Sequence, residues 1–309
     1  MIEISIVVPV YNSEDNLSEL CAQINDALQT VTYELLLVND RSKDNSWAVI
    51  KQMSEKYAQV IGINLRRNGG QDNAIMAGLN NVNGNYIVIM DDDLQHSPYD
   101  IIKLLNSCKK TESDICFANF NVKKQAIWKN FGSWLNGKIS EWLLNKPKGI
   151  YLSPFKIITK EVIDEIIKYS GPYPYIDGLL LSVTDNMVQI NIKHHKRFQG
   201  KSNFNLTRSI SVFLKHVTTF SITPLRVASL IGFICSLAGF LLIPYYIFDH
   251  FFNNNIVEGW TTLAILVLLI GGLILLSLGM TGEYLGRAYL NINKKPQFII
   301  REIVKKNIF

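Results

Sequence analysis

Residues 3–118 alternate two periodicities, and that alternation constrains the fold more than any other feature of the chain. Short β-branched, apolar runs lie at 3–10, 33–38, 60–65, 86–90 and 115–118. They are too continuously apolar for strands with one wet face, and read as strands buried on both sides. Between them apolar residues recur at helical spacing, as in Leu17, Leu20, Cys21, Ile24 and Leu28, with Ser13 placed to cap that helix. Strands alternating with helices predict right-handed βαβ units, and so an α/β fold: a Rossmann-like, mostly parallel sheet flanked by helices. Four runs end in polar sets, at 9–14, 39–44, 66–70 and 91–95. All four fall at strand C-termini and would share the crevice where open α/β sheets bind ligands. No GxGxxG follows the first strand and the chain has no P-loop motif, which argues against a dinucleotide enzyme and a P-loop NTPase.

The run 86–90 stops at three adjacent carboxylates, Asp91, Asp92 and Asp93, followed by Leu94 and Gln95. Acids gathered at one strand end repel one another unless a cation neutralises them. Hard divalent ions such as Mg²⁺ and Mn²⁺ take oxygen ligands, usually one or two carboxylates with substrate phosphates completing the shell. The stretch predicts a metal site holding a phosphorylated substrate. The structural alternative is an acidic loop that caps the next helix.

Beyond residue 120 the pattern changes. Residues 126–145 place Ile127, Trp128, Phe131, Trp134, Leu135, Ile139, Trp142 and Leu143 at helical spacing among Lys123, Lys124, Lys129, Lys138 and Lys146. A basic, Trp-rich amphipathic helix of this kind suits a bilayer interface. A strand is expected at 150–158, a helix from Thr159 to about residue 169, a helix at 176–184 and a strand at 188–193. Asp177 is a lone acid, read as a capping or solvated carboxylate, with an active-site acid as the alternative. His194 and His195 alternate along an extended segment and so do not make a two-histidine metal site.

Residues 227–248 and 260–282 carry no charge, and each run is long enough to span a bilayer. The link at 249–259 has no Lys or Arg, whereas Lys215, Arg226, Arg287, Lys294, Lys295, Arg301, Lys305 and Lys306 flank the pair. The positive-inside rule then puts both termini in the cytoplasm. The layout expected is a cytosolic domain at 1–204, a juxtamembrane helix at 205–226, a transmembrane hairpin at 227–282 and a basic cytosolic tail at 283–309. A hydrophobic content of 48% agrees with a membrane portion. The net charge of +5 is too mild to argue for nucleic acid, and suits an anionic membrane surface or phosphate ligands. Cys21, Cys108, Cys116 and Cys235 show no metal-type spacing and read as reduced packing residues. Residues 1–10 lack the basic start and apolar core of a signal peptide.

Residues 9–17, 38–44, 67–70 and 91–95 together resemble the inverting GT-A glycosyltransferases, and more closely the polyprenyl-phosphate glycosyltransferases, the group of dolichol-phosphate mannose synthase and bacterial undecaprenyl-phosphate glucosyltransferase. Arg197, Gly200 and Ser202 match an Arg-x-x-Gly-x-Ser loop of that group, and Phe155-Lys156 stands where it often has Phe-Arg. Arg41 stands where the group usually has glycine. The resemblance implies a nucleotide-sugar donor, such as UDP-glucose, with its base near Pro9, Tyr11, Asn12, Glu14 and Asp40. It implies a diphosphate held through Mg²⁺ or Mn²⁺ on Asp91, Asp93 and Gln95. It places the acceptor, a polyprenyl phosphate such as undecaprenyl phosphate, near Lys156, Arg197, Lys201, Ser202 and Arg208, and it implies a homotetramer. Asp91, Asp92, Asp93 and Arg197 form the expected catalytic set, with Asp92 either orienting the sugar or shaping the loop. The expected product is a lipid-linked sugar for decoration of a surface glycan, made at the bacterial inner membrane. A processive polysaccharide synthase is disfavoured, because no Gln-x-x-Arg-Trp occurs and two spans are too few for a polymer channel. A membrane-anchored binding protein without activity is disfavoured by the intact acidic motif.

Overall fold

The computed structural model of the protein describes residues 2–120, 149–192, 229–234, 237, 259–293 and 296–306. The interfacial helix expected at 126–145, the juxtamembrane segment 205–226, the loop bearing Arg197, Lys201 and Ser202, Arg208, and most of the run 227–248 lie outside the described residues. The chain divides into two compact units, residues 1–204 with 294–309, and residues 205–293.

The first unit is built on one eight-stranded sheet. Its strands are β1 (Ile4–Val10), β2 (Tyr33–Asn39), β3 (Val60–Leu65), β4 (Tyr86–Ile89), β5 (Ile115–Phe120), β6 (Lys156–Thr159), β7 (Met187–Ile192) and β8 (Ile300–Lys305). The helices are α1 (Glu14–Ala27), α2 (Ser46–Lys56), α3 (Gln71–Leu79), α4 (Ile101–Thr111), α5 (Lys160–Ile166) and α6 (Ile176–Val183). A 3₁₀ turn at Pro98–Asp100 leads into α4, where proline is tolerated because the first helical N–H has no partner to lose.

The spatial order is β7-β5-β6-β4-β1-β2-β3-β8. Strands β1 to β4 are parallel, as their buried runs predict. The sheet is mixed but mostly parallel, as expected: only β6, between β4 and β5, and β8, beside β3 at the edge, run against the other strands. Every residue of β2 is buried, which is possible only with both faces covered. On one face Ile4, Ile6, Val8 and Val10 pack with Leu17, Leu20 and Ile24 of α1, Ile50 of α2, and Ile101 and Leu104 of α4. On the other, α3 lies against β1 so closely that a Cβ on Gly78 would come within 2.4 Å of Val7 Cγ1.

The C-terminal end differs from the sequence expectation. Residues 283–309 are not simply a tail: a helix continues to Ile292 and Ile300–Lys305 returns to the sheet as β8. The return is fixed on both sides. Arg66 N donates to Ile299 O, Arg67 Nη2 to Pro296 O, and buried Gln297 Nε2 to Gly171 O at 2.8 Å. No local pattern announced this strand, since its partners are the edge groups of β3.

In the second unit α7 (Trp260–Ile292) is a 33-residue helix. Within it Leu269–Leu290 is long and apolar enough to cross a membrane, the one such helix among the described residues. Its apolar side chains, among them Val267, Ile274, Leu275 and Leu278, are exposed. Residues 229–234 are also helical, with Leu230, Phe233 and Ile234 exposed.

Candidate active site

The first two strand-end loops are stitched into one surface. Asn12 N donates to Ser42 Oγ and Lys43 N donates back to Asn12 Oδ1 at 2.8 Å. Ser13 N donates to Ser46 Oγ, Glu14 N to Asp44 Oδ2, and Asn45 N to Glu14 Oε2. Ser13 occupies the N-cap position of α1, but makes no side-chain capping bond. Asp44 instead accepts from the amide and hydroxyl of Ser46 at the start of α2. The third loop joins through Asp40, whose buried carboxylate accepts from Gly69 N and Gly70 N at 2.7 and 2.8 Å. Burial pushes Asp40 upward against the pull of those two amides. Gly70 takes a φ of 90° there, a conformation only glycine enters without strain. Asn12, Glu14 and Asp40 thus all hold loops in place. Tyr11, 46% exposed, is the aromatic face the loops present.

At the end of β4 the three carboxylates have different surroundings. Gln71 Nε2 donates to Asp91 Oδ1 at 2.8 Å, and Asp91 N donates to Nδ1 of buried His96. That ring is stacked between Phe120 and Phe155, so the imidazole is held as a fixed acceptor. Asp92 accepts from the Ser13 hydroxyl and the Tyr11 amide, although burial still raises it. Through these bonds it ties the acidic loop to the first loop. Asp93 Oδ1 accepts from Gln95 N, closing a tight turn in which Leu94 has a φ of 60°. Burial, then repulsion from Asp93 and Asp92, pushes the Asp91 carboxyl up to about 7, against the pull of Lys156 and the Gln71 amide.

Lys156 stands one strand away. Antiparallel β6 pairs it with Ile89, so the first residue of β6 lies beside the last residues of β4. Sequence placed this lysine among phosphate ligands. Its side chain is instead 4% exposed, paired with Asp177 and lying over the Phe117 ring. Asp72, in the first turn of α3, accepts from the Ile176 amide in the first turn of α6; burial and the charge of Asp177 push it up to about 6. Asp177 is therefore neither solvated nor a simple cap. His96, Gln71 and Asp72 escaped sequence reasoning. A histidine five residues after Asp91 and an amide opening α3 were the available signals.

A divalent ion fits this donor set on chemical grounds. Among the described residues no group of three or more His, Cys, Asp or Glu side chains is placed to hold a metal ion by itself, so any ion here would need ligands from the substrate. Asp91, Asp93 and Gln95 offer two carboxylates and an amide oxygen just past the end of β4, where burial and repulsion from the neighbouring acids push Asp91 up. Open oxygen sites of one or two carboxylates are what Mg²⁺ and Mn²⁺ share with phosphates.

A sheet in this order, with its acidic strand end beside interlocked first and second loops, is the architecture of a GT-A-type glycosyltransferase. The model of glycosyl transferase family 2 matches residues 5–167, and the chain belongs to that family; it is an enzyme of glycosyl transfer. The chain is similar over nearly its whole length to the uncharacterised glycosyltransferase YkcC of Bacillus subtilis, at 29% identity over 303 residues, 97% of this chain and 94% of that protein. It is also similar to the undecaprenyl-phosphate 4-deoxy-4-formamido-L-arabinose transferase of Klebsiella pneumoniae, at 28% identity over 309 residues, 98% of this chain and 94% of that one. Among solved structures, glucosyl-3-phosphoglycerate synthase of Mycobacterium tuberculosis with Mn²⁺ and UDP-glucose shares the fold, with a TM-score of 0.51 and 16% identity over 71% of this chain and 77% of that one.

Proposed function

We propose that this glycosyltransferase moves a sugar from a nucleotide-sugar, UDP-glucose, to a polyprenyl monophosphate, undecaprenyl phosphate, at the cytoplasmic face of the bacterial inner membrane. Transfer is metal-dependent and inverting, and its product is a lipid-linked sugar. The observation that carries this reading is the run of three carboxylates just past the end of β4, in a family 2 chain whose relatives named for undecaprenyl-phosphate transfer match it almost end to end.

Asp91 and Asp93, with Gln95, would hold Mg²⁺ or Mn²⁺, which would supply positive charge to offset that of the diphosphate. Pro9 and exposed Tyr11 take the base, on loops that Asn12, Glu14 and Asp40 keep in place. An alcohol acceptor would need a general base. A phosphate monoester, with a second pKa of about 6 in phosphorylated side chains, already carries the nucleophilic charge near neutral pH. Its oxygen attacks the anomeric carbon, the bond from that carbon to the diphosphate breaks, and the electron pair leaves with UDP. Arg197, Lys201, Ser202 and Arg208 gather the phosphates, where a glycine-containing basic loop suits anions. The helix at 126–145 lies in the interface, 227–248 and α7 form a two-pass hairpin with both termini cytoplasmic, and the assembly is a homotetramer.

The test is transfer of radiolabelled sugar by the full-length protein in detergent, given undecaprenyl phosphate and a panel of nucleotide-sugars. Label should enter the organic phase from a UDP-sugar only with Mg²⁺ or Mn²⁺ present. Asp93→Ala should lower that rate about a hundredfold or more while the protein stays folded. Label in an insoluble polymer, or transfer indifferent to chelation, would overturn the reading.

A further inference from the structure

Four elements meet around one buried cation. The register of β6 against β4 places Lys156 beside Ile89, two residues before Asp91. The Lys156 ammonium is paired with Asp177 of α6 and lies 5.4 Å from the centroid of the Phe117 ring, with its side chain 4% exposed. Its charge is felt at Asp72 of α3 and at Asp91. The α3 turn that bears Asp72 also bears Gln71, which grips Asp91 from the other side. The ammonium is thus paired with one carboxylate, Asp177, while its strand register sets it near the end of β4 that bears Asp91.

Which carboxylate takes the lysine decides what the rim can bind. An ammonium on Asp91 would neutralise that group, fill its lone pairs and set a positive charge against an incoming divalent ion. We propose that Asp177 is a positioning residue for the metal: by holding Lys156 it keeps the ammonium off Asp91 and leaves that carboxylate charged and open. The inference rests on the metal-dependent reading above and adds a role that reading does not contain. The depth of the pair supports it. An exposed lysine would trade partners with water at little cost, whereas a buried one deprived of its partner must find another carboxylate. The surroundings also argue against Lys156 as a direct phosphate ligand, because a phosphate would have to displace Asp177 to reach a side chain so little exposed.

The experiment measures Mn²⁺ binding to the full-length protein in detergent with UDP present, from the electron paramagnetic resonance signal of free Mn²⁺. Asp177→Asn releases the ammonium toward Asp91 and should weaken Mn²⁺ at least about tenfold, more than 1.4 kcal/mol of lost binding. In the same variant the Mn²⁺ concentration that half-activates transfer should rise with it, while KM for the lipid phosphate stays put. Adding Lys156→Met to Asp177→Asn removes the competitor and should restore Mn²⁺ affinity to within about threefold of the parent. Lys156→Met alone, which needs no folded Asp177→Asn protein, should bind Mn²⁺ at least as tightly as the parent at about pH 8.5, where Asp91 is ionised even without the pull of Lys156. Unchanged affinity in folded Asp177→Asn, a double variant as weak as the single one, or weaker binding by Lys156→Met would each overturn the proposal and leave the metal reading standing. Failure of the parent protein to bind Mn²⁺ would overturn both.

Discussion

At the scale of single residues, three of the four left-handed non-glycine residues among the described residues lie in the site loops, the fourth being Glu112 at the end of α4. Asn12, Arg41 and Leu94 have φ of 55°, 58° and 60°, and each sits in a loop that follows β1, β2 or β4. A left-handed residue other than glycine costs about 1–2 kcal/mol, less for asparagine, and such strain collects where a site must hold a shape. Arg41 stands where the resembling enzymes usually carry glycine, and its backbone shows why glycine suits the position. Arg41→Gly should therefore leave the thermal midpoint unchanged or raise it: relief of about 1–2 kcal/mol exceeds or matches the entropy glycine loses, about 0.5–1 kcal/mol. A clear fall in the midpoint would mean the arginine side chain contributes more than its backbone costs. The elevated Asp91 makes a second residue-scale prediction. Burial and its acidic neighbours push this carboxyl up to about 7, and a metal must displace its proton. Below that pH affinity falls with each unit of acid; above it affinity is flat. Mn²⁺ binding at about pH 6 should be about tenfold weaker than at about pH 8, and equal affinities in a titration at the two values would refute a raised Asp91.

At the scale of elements, α3 is the piece whose seating matters most. It carries Gln71 and Asp72 in its first turn and rests on β1 through Gly78, where an added Cβ would meet Val7 Cγ1 at 2.4 Å and Val38 Cγ2 at 3.2 Å. Both neighbours are β-branched and stiff. Gly78→Ala should cost about 1–3 kcal/mol by overpacking, seen as a lower unfolding midpoint, and should weaken metal-dependent transfer because α3 carries the Asp91 partner with it. A midpoint equal to the parent's would show that α3 can slide. The elements also show what could be read in advance. The strand at 86–90 and its acids were legible because burial on both faces and a polar strand end are local properties. So were the loops at 9–14 and 39–44, although the work of Asp40 on the Gly69 and Gly70 amides was not. The insertion of β6 and the return of β8 were illegible because each is chosen by an open strand edge far away in sequence. The burial of Lys156 was illegible for the same reason, because only the register sets it beside Ile89.

At the scale of the whole molecule, β8 constrains the membrane topology. Strands β1 to β7 precede the apolar segments in the chain and β8 follows them, yet all eight belong to one hydrogen-bonded sheet. The chain that leaves this compartment must re-enter it, so the number of crossings between β7 and β8 is even. Helix α7, 33 residues long, extends about 50 Å at 1.5 Å per residue, more than the roughly 30 Å of hydrocarbon it has to cross. If α7 crosses once, another crossing must lie between residue 193 and residue 259, and the uncharged run 227–248 is long enough to supply it. On that condition parity requires the two-pass hairpin that the positive-inside rule predicts. An epitope inserted between Asn253 and Asn254 and a second one after Phe309 should then lie on opposite sides. In right-side-out vesicles antibody should reach the first directly and the second only after permeabilisation. Both epitopes on one side would mean that α7 does not cross, or that β8 leaves the sheet in the membrane-bound protein.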